Sequence, residues 1–166
     1  MQDIQTYKTL ICKKIEELSS EILGISHNIH DNPEIGMQEH YACKLLTDSL
    51  QVRGFKVKCG IGGLDTAFSA EYASDKDGPR IAILAEYDAL REMGHGCGHN
   101  IIAASAYGAA AALPEIVDEV GGCVSVIGTP EEETIGGKIN LLEAGAFDDY
   151  DFAMMIHPTN ISRNII

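Results

Sequence analysis

Three short apolar runs constrain the fold of this chain more than any other feature of its sequence. They cover residues 80–85, 123–128 and 151–156. Apolar runs of this length are typical of strands that are covered on both faces of a sheet. An Ala-rich helical pattern over 99–113 and a shorter one over 138–144 lie between them. Strands that alternate with helices in this way predict an α/β fold, with a layered sheet, mixed or mostly parallel, that is flanked by helices.

The first half of the chain predicts helices and a hairpin. Apolar side chains recur at steps of three and four between residues 3 and 30, which predicts one amphipathic helix that ends before Pro33. A second helical pattern covers 38–53. Alternating segments at 55–59 and 66–72, on either side of a glycine-rich turn, predict two antiparallel strands.

The charge and the cysteines of the chain argue against several classes of function. Its 166 residues include 12 basic and 25 acidic ones, and the net charge of −13 disfavours binding to nucleic acids and anionic membranes. No run reaches the roughly 18 consecutive apolar residues of a membrane span, and the N-terminal residues lack the pattern of a secretory signal. The five cysteines are irregularly spaced, so we expect free thiols in a cytoplasmic protein that forms one domain or a large part of one.

Ionisable side chains follow each of the three apolar runs at once. Glu86 and Asp88 follow the first run, three consecutive glutamates at 131–133 follow the second, and His157 follows the third. Sites in open α/β sheets gather beyond the carboxyl ends of the strands. The shared layout therefore predicts one site to which all three segments contribute.

The segment GHGCGH at 94–99 has the composition of a zinc site. Cysteine and histidine are preferred zinc ligands, and the glycines let the backbone bend until Cys97 and His99 face one ion. Cys97 also lies near the predicted start of a helix, whose dipole would favour the thiolate. The alternative is a glycine-rich turn with a buried, inert cysteine.

Each of the other candidate residues allows two interpretations. One of the glutamates at 131–133 could bind a metal while the next accepts a proton from bound water, or the three form a solvated acidic loop. Glu86 and Asp88 share one face of an extended segment, as a ligand and its orienting partner would, or they cap a turn. His157 taken alone would more often be a structural histidine. Three further histidines are expected to be structural or surface residues: His27, His30 and His40.

Four segments together carry a specific resemblance. They are IAILAEYDAL, GHGCGHNIIAASAYGAAAAL, VIGTPEEE and GGKINLLEAGAFDDYDFAMMIHP. In combination they closely resemble the amidohydrolase branch of the aminoacylase/carboxypeptidase metallopeptidase family, which contains aminobenzoyl-glutamate hydrolases, N-acyl-amino-acid amidohydrolases and Xaa-Arg dipeptidases. An earlier segment, DNPEIGMQEHYACKLL, also looks like one of the family's motifs, so the resemblance covers nearly the whole chain in order.

The resemblance implies roles for individual residues. The implied metal ligands are Cys97, His99, Glu133 and His157. Glu132 matches the catalytic base, and Asp88 matches the acid that supports the metal site. Glu86 stands where more distant relatives carry a histidine ligand, and His95 matches a recurrent histidine to which no role is assigned. Glu131 replaces the alanine that usually precedes the two glutamates.

The resemblance also implies an enzyme. It would be a metal-dependent hydrolase that cleaves the amide bond of an N-acyl amino acid, aminobenzoyl-glutamate or a dipeptide through a metal-activated water. One or two divalent ions, zinc or manganese, would be the cofactor, and the full-length protein would be a homodimer that acts on a small molecule. Because family members carry a lid domain for dimerisation and a further histidine ligand near the C-terminus, residues 1–166 would be the N-terminal portion of the catalytic domain. The alternatives are a truncated, non-catalytic metal-binding or interaction module and a thiol-based redox protein.

Overall fold

The computed structural model describes residues 3–159 and has a five-stranded sheet at its centre. The helices are α1 (Ile4–Glu17), α2 (Ser19–Asp31), α3 (His40–Val52), α4 (His99–Ala111), α5 (Pro114–Val120) and α6 (Gly137–Glu143). The strands are β1 (Lys56–Cys59), β2 (Phe68–Ala73), β3 (Arg80–Ala85), β4 (Cys123–Gly128) and β5 (Phe152–Met154). The predicted layered α/β fold is confirmed, and β3 and β4 have the bounds of the first two apolar runs.

The sheet is mixed, and its parallel half forms the edge on which the predicted site residues lie. The strand order is β1-β2-β4-β3-β5. Both β4 and β5 run parallel to β3, whereas β1 and β2 form the predicted antiparallel hairpin and β2 is also antiparallel to β4. Ala85 pairs with Gly128, so the segments that follow β3 and β4 leave the sheet side by side.

The main core lies between the sheet and helices α2, α3 and α4. Leu46 and Leu50 of α3 and Phe68 of β2 are fully buried in it. Burying a side chain of this size contributes about 1.5–3 kcal/mol. A smaller cluster covers the other face of the sheet, where Leu141 of α6 packs with Ile127 of β4. The central strands are therefore covered on both faces, which explains why their sequences are apolar throughout.

Within residues 3–159 no single helix has the length and apolar composition of a membrane span. The bent pair of α4 and α5 meets that criterion jointly, by length and composition alone. Ten of the 13 residues of α4 are buried, because this helix packs between α2 and the sheet in the protein core.

The prediction of one helix over 3–30 was wrong, because the helical segment divides into α1 and α2 at Leu18. Leu18 is buried, whereas α1 has no buried residue. Helix α2 buries Ile25 and Ile29 against the core. The break therefore lets α2 follow the core while α1 lies outside it, and neither glycine nor proline marks the position in the sequence. Helix α5 was not predicted.

The prediction of a third buried strand over 151–156 was also wrong. Strand β5 has three residues, pairs with β3 alone and forms the edge of the sheet in the described part of the chain. Its side chains are exposed, with Phe152 at 61% and Met154 at 54% of their full accessibility. An apolar run shows that a strand tolerates burial, but it does not show that another element covers it.

Candidate metal centre

His99 is the first residue of α4 and lies buried beside Asp88, which follows β3. Its Nδ1 is 2.8 Å from Oδ1 of Asp88 and 2.9 Å from the Asp88 carbonyl oxygen. Because both of these atoms are acceptors, Nδ1 must carry the proton. In the neutral imidazole, the lone pair then lies on Nε2, which is the arrangement found in metal-binding histidines.

Asp88 joins the segments that follow β3 and β4. Besides the hydrogen bond from His99, its Oδ2 accepts the backbone N–H of Glu133 over 3.0 Å. Burial alone would raise the pKa of Asp88, but the hydrogen bonds from His99 and Glu133 outweigh it and hold this pKa below its ordinary value. Asp88 therefore stays ionised and positions both neighbours.

Three possible metal-binding groups lie close together at the carboxyl ends of β3 and β5. One ligand atom each from Cys97, His99 and His157 lies within 4.8 Å of the others. Sγ of Cys97 is 3.5 Å from Nε2 of His157, and Nδ1 of His157 donates to the carbonyl oxygen of Pro158 over 2.7 Å. As for His99, this leaves the Nε2 lone pair of neutral His157 for the site.

A glycine allows the two chain segments of this cluster to approach. Gly98 has a φ of 87°, in the left-handed region that side chains with a Cβ rarely adopt. A Cβ at this position would lie only 2.9 Å from Cγ of Pro158. Gly98 therefore permits both the turn between Cys97 and His99 and the contact with the segment that carries His157.

Two carboxylates complete the surroundings of His99 Nε2. Oε2 of Glu86 is 3.2 Å from this nitrogen, and Oε1 of Glu133 is 3.4 Å from it. Glu86 is only 2% exposed, and its Oε2 accepts no hydrogen bond from the described residues. Lys138 lies against the other oxygen of this carboxylate, whereas a buried Oε2 is stabilised only by a further donor or cation, which protonated His99 or a metal can supply. The residues present therefore fit a divalent metal.

The same carboxylates control the protonation of His99 and Cys97. Burial alone would lower the pKa of His99, but Asp88, Glu86 and Glu133 raise it above its ordinary value. Burial and then Glu133 raise the pKa of Cys97 to about 11. The prediction that the helix dipole favours a thiolate at Cys97 was thus wrong for the metal-free protein, because burial of the thiol and the nearby negative charge outweigh the dipole. A bound cation reverses this balance.

Lys138, in the first turn of α6, was missed by the sequence reasoning. Its Nζ contacts Oε1 of Glu86 and lies 2.6 Å from Oε2 of Glu132. Glu132 is exposed at the rim of the cluster, and Lys138 connects it to the buried Glu86. A single lysine after two glycines gives no signal in the sequence for such a contact.

The remaining histidines are not members of the cluster. As predicted, His27, His30 and His40 are exposed. His95 is buried with its ring 6.3 Å from that of His30. Burial and the neighbouring His99 lower the pKa of His95 below its ordinary value, so its ring is held neutral. All five cysteines are free, as predicted.

Comparison with known proteins gives the family. Residues 77–165 match the model of peptidase family M20/M25/M40. This chain is 39% identical to the Xaa-Arg dipeptidase of Mus musculus over 169 residues, which cover 95% of the chain and 39% of the relative. It is 34% identical to one of the subunits of the p-aminobenzoyl-glutamate hydrolase of Escherichia coli strain K12, covering 95% of the chain and 36% of that protein. The chain belongs to the M20/M25/M40 metallopeptidase family, and it spans about two fifths of the length of these curated relatives.

Solved structures agree with the assignment. A dinuclear metal-binding peptidase of the M20 family from Bacillus subtilis superimposes with a TM-score of 0.75 at 27% identity, over 83% of this chain and 42% of that one. An aminobenzoyl-glutamate utilization protein from Klebsiella pneumoniae has a TM-score of 0.71 at 19% identity, over 86% and 44% of the two chains, and shows the shared fold.

Proposed function

We propose that this chain is the N-terminal portion of the catalytic domain of a metal-dependent amidohydrolase or dipeptidase. The relatives with this sequence pattern are named as hydrolases of peptide and amide bonds. Since the chain spans about two fifths of their length, residues 1–166 would be joined in the full-length protein by a lid domain and the C-terminal part of the catalytic domain.

One observation supports this proposal most strongly: ligand atoms from Cys97, His99 and His157 converge within 4.8 Å. A thiolate with imidazoles is a donor set that suits zinc, and the carboxylate of Glu133 also suits manganese. Cys97, His99, Glu133 and His157 would hold one or two divalent ions. The buried Oε2 of Glu86 lies beside His99 and accepts no hydrogen bond from the described part of the chain, which supports a cation at this position.

The chain's own residues would divide the chemistry between them. A bound divalent metal lowers the pKa of a coordinated water to roughly 7 and polarises the scissile carbonyl. Glu132 would accept a proton from the attacking water on its carboxylate and deliver it to the leaving amine. Asp88 would keep His99 in the tautomer that presents Nε2. Lys138, bonded to Oε2 of Glu132, would hold the carboxylate of this base in place.

The substrate would be a small molecule: an N-acyl amino acid, an aminobenzoyl-glutamate or a dipeptide. The names of the relatives support these three classes. The net charge of −13 disfavours nucleic acids and anionic membrane surfaces as partners. We propose a cytoplasmic homodimer for the full-length protein.

The thiol-based alternative is disfavoured by the site itself. The thiolate is the reactive form of cysteine, and the pKa of Cys97 is raised to about 11 in the metal-free protein. The acids that raise it have no role in a thiol mechanism, whereas they fit a metal site.

Metal content measured on purified variants tests the proposal. We expect Cys97→Ser, His99→Ala and Glu133→Ala each to lower the bound zinc or manganese per chain, with Asp48→Asn on the exposed face of α3 as the matched control. Unchanged metal content in all three site variants would refute the ligand assignment. A metal-loaded full-length protein that hydrolyses none of the three substrate classes would favour the non-catalytic module instead.

A further inference from the structure

A buried carboxylate lies behind the loop that carries Glu132. Glu39, immediately before α3, has 0% exposure. Burial raises the pKa of Glu39, although several hydrogen bonds work in the opposite direction. Its Oε2 accepts the hydroxyl of Thr66 over 2.9 Å, and its Oε1 accepts the backbone N–H of Glu131 over 2.9 Å. Because an unpaired buried carboxylate is unfavourable, these two bonds define where Glu39 lies.

The bond to Glu131 restrains an unusual backbone conformation. Glu131 has a φ of 61°, which is uncommon for any residue other than glycine. Its N–H is directed to Glu39, and two residues later the N–H of Glu133 is directed to Asp88 over 3.0 Å. The carbonyl of Glu131 accepts the N–H of Gly136 over 3.0 Å, which closes the loop at its other end. Two buried acids thus hold the backbone of 131–133 from the side of the core.

The hydrogen bonds that hold the backbone of 131–133 also restrict the side chains of this loop. When the N–H groups of Glu131 and Glu133 are held from the core side, the orientation of the intervening Glu132 is restricted. Glu39 itself contacts neither the Cys97–His99–His157 cluster nor Lys138 through any hydrogen bond of the described residues. Its effect on the site is therefore exerted through the backbone of Glu131.

We propose that Glu39 is a positioning residue that fixes the loop 131–133 and thereby aligns Glu132 and Glu133 with the metal-binding cluster. The restraint of the loop by Glu39 rests on its hydrogen bonds with Thr66 and Glu131. Its effect on catalysis rests on the proposed function. Removing a residue that orients a metal ligand lowers metal affinity or activity by about 10–100-fold. A misplacement of a catalytic group by about 1 Å lowers the rate by about 100-fold.

Three variants of the full-length protein test the proposal. Glu39→Leu removes the acceptor for the Glu131 N–H. Glu39→Gln keeps a carbonyl oxygen that can accept it, while its amide can donate to Thr66. The control is Thr47→Val, which removes a buried hydroxyl of α3 that bonds to the Cys43 carbonyl, away from the loop.

Hydrogen exchange followed by mass spectrometry gives a readout that does not depend on activity. We expect the backbone amides of 129–134 to exchange at least about tenfold faster in Glu39→Leu than in the original protein, because the Glu131 N–H loses its acceptor. Glu39→Gln and Thr47→Val should stay within about twofold. Equal protection in Glu39→Leu, or equally fast exchange in Thr47→Val, would overturn the proposal. If Glu39→Leu does not fold, the test rests on Glu39→Gln, which keeps the acceptor. Fast exchange of 129–134 in folded Glu39→Gln would then overturn the proposal.

Kinetics separate positioning from general stability. We expect kcat to fall about 100-fold in Glu39→Leu with KM within about threefold, because substrate contacts remain. Glu39→Gln should restore kcat to within about threefold, and a Glu39→Gln as impaired as Glu39→Leu would contradict the proposal. A full-length protein without hydrolytic activity would refute the proposed function only, since the exchange of 129–134 would still decide the role of Glu39.

Discussion

The carboxylate of Asp88 accepts a hydrogen bond from Nδ1 of His99 over 2.8 Å, and together with the Asp88 carbonyl oxygen it determines which nitrogen of His99 faces the cluster. The same carboxylate accepts the N–H of Glu133. One buried acid therefore connects a predicted ligand at the start of α4 with the loop after β4. A change at Asp88 should disturb both of these segments at once.

Asp88→Asn should weaken zinc binding by about 10–100-fold. The amide cannot accept both the His99 and the Glu133 hydrogen bonds, and it removes the charge that favours the His99 tautomer. Competition against a chromophoric chelator measures the affinity. Asp48→Asn, which changes an exposed ion pair with Lys44, is the control and should leave the affinity unchanged. Equal affinities in the two variants would show that Asp88 does not support the site.

The stability of the metal-free protein should depend on His99 and pH. The pKa of His99 is raised above its ordinary value of 6.5. A group with a raised pKa in the folded state stabilises the protein fully below the unfolded value, and this contribution is lost as the pH rises through the folded value. The free energy of unfolding in urea, compared between the original protein and His99→Gln, should therefore differ more at pH 6 than at pH 9. A difference that grows with pH would contradict the raised pKa of His99.

The Cys97 thiol should react slowly in the metal-free protein at neutral pH. Since its pKa is about 11, the rate of alkylation by iodoacetamide should rise about tenfold per pH unit between pH 7 and 10. The exposed Cys12 and Cys59 are first replaced by serine to remove their background. Added zinc should suppress the reaction further. Rapid alkylation at pH 7 with zinc present would instead support a nucleophilic thiol.

The sequence pattern predicted strands correctly where other parts of the described chain cover both of their faces. β3 and β4 were predicted with the bounds they have, because both of their faces are covered. The exposure of β5 could not be predicted, because the third apolar run carries no information about what lies beyond the sheet edge. The break at Leu18 could not be predicted either, because leucine is compatible with a continuous helix and the break serves the packing of α2.

The candidate site residues were predicted from their positions at strand ends and from the family resemblance. Glu39 and Lys138, which contact the loop and the acids of the site, were not predicted, because their partners are distant in the sequence. Glu39 bonds to a backbone N–H 92 positions away, and Lys138 bonds to Glu86 52 positions away. Glu39 lies within a segment that resembles a family motif, but neither its surroundings nor those of Lys138 indicate these distant contacts. The pKa of Cys97 was misjudged because the helix dipole is visible in the sequence, whereas the burial of the thiol and the convergence of three carboxylates on it are not.

Gly98→Ala should destabilise the protein by about 1–3 kcal/mol. The left-handed φ of 87° is unfavourable for alanine, and the new Cβ would meet Pro158. The control is Gly24→Ala in α2, where the added Cβ would meet no atom of another part of the described chain within 4 Å. That variant should be neutral or more stable by up to about 1 kcal/mol. Urea unfolding of both variants measures the difference, and equal stabilities would remove the structural reason for a glycine between Cys97 and His99.

Glu132→Gln should abolish turnover in the full-length protein while the metal stays bound. A positioned general base contributes about 10²–10⁴-fold to the rate, so kcat should fall by that factor at unchanged metal content. Lys138 can still donate to the amide oxygen, so the side chain should remain in place. Loss of the metal together with activity would make Glu132 a ligand and exclude it as the base.

Zinc-edge X-ray absorption on the zinc-loaded protein tests the metal centre most directly. We predict one sulfur ligand at about 2.3 Å and nitrogen or oxygen ligands at about 2.0–2.1 Å, with the sulfur signal lost in Cys97→Ser and kept in Cys12→Ser. A first shell without sulfur, or a sulfur signal that persists in Cys97→Ser, would contradict a metal held by Cys97, His99, Glu133 and His157.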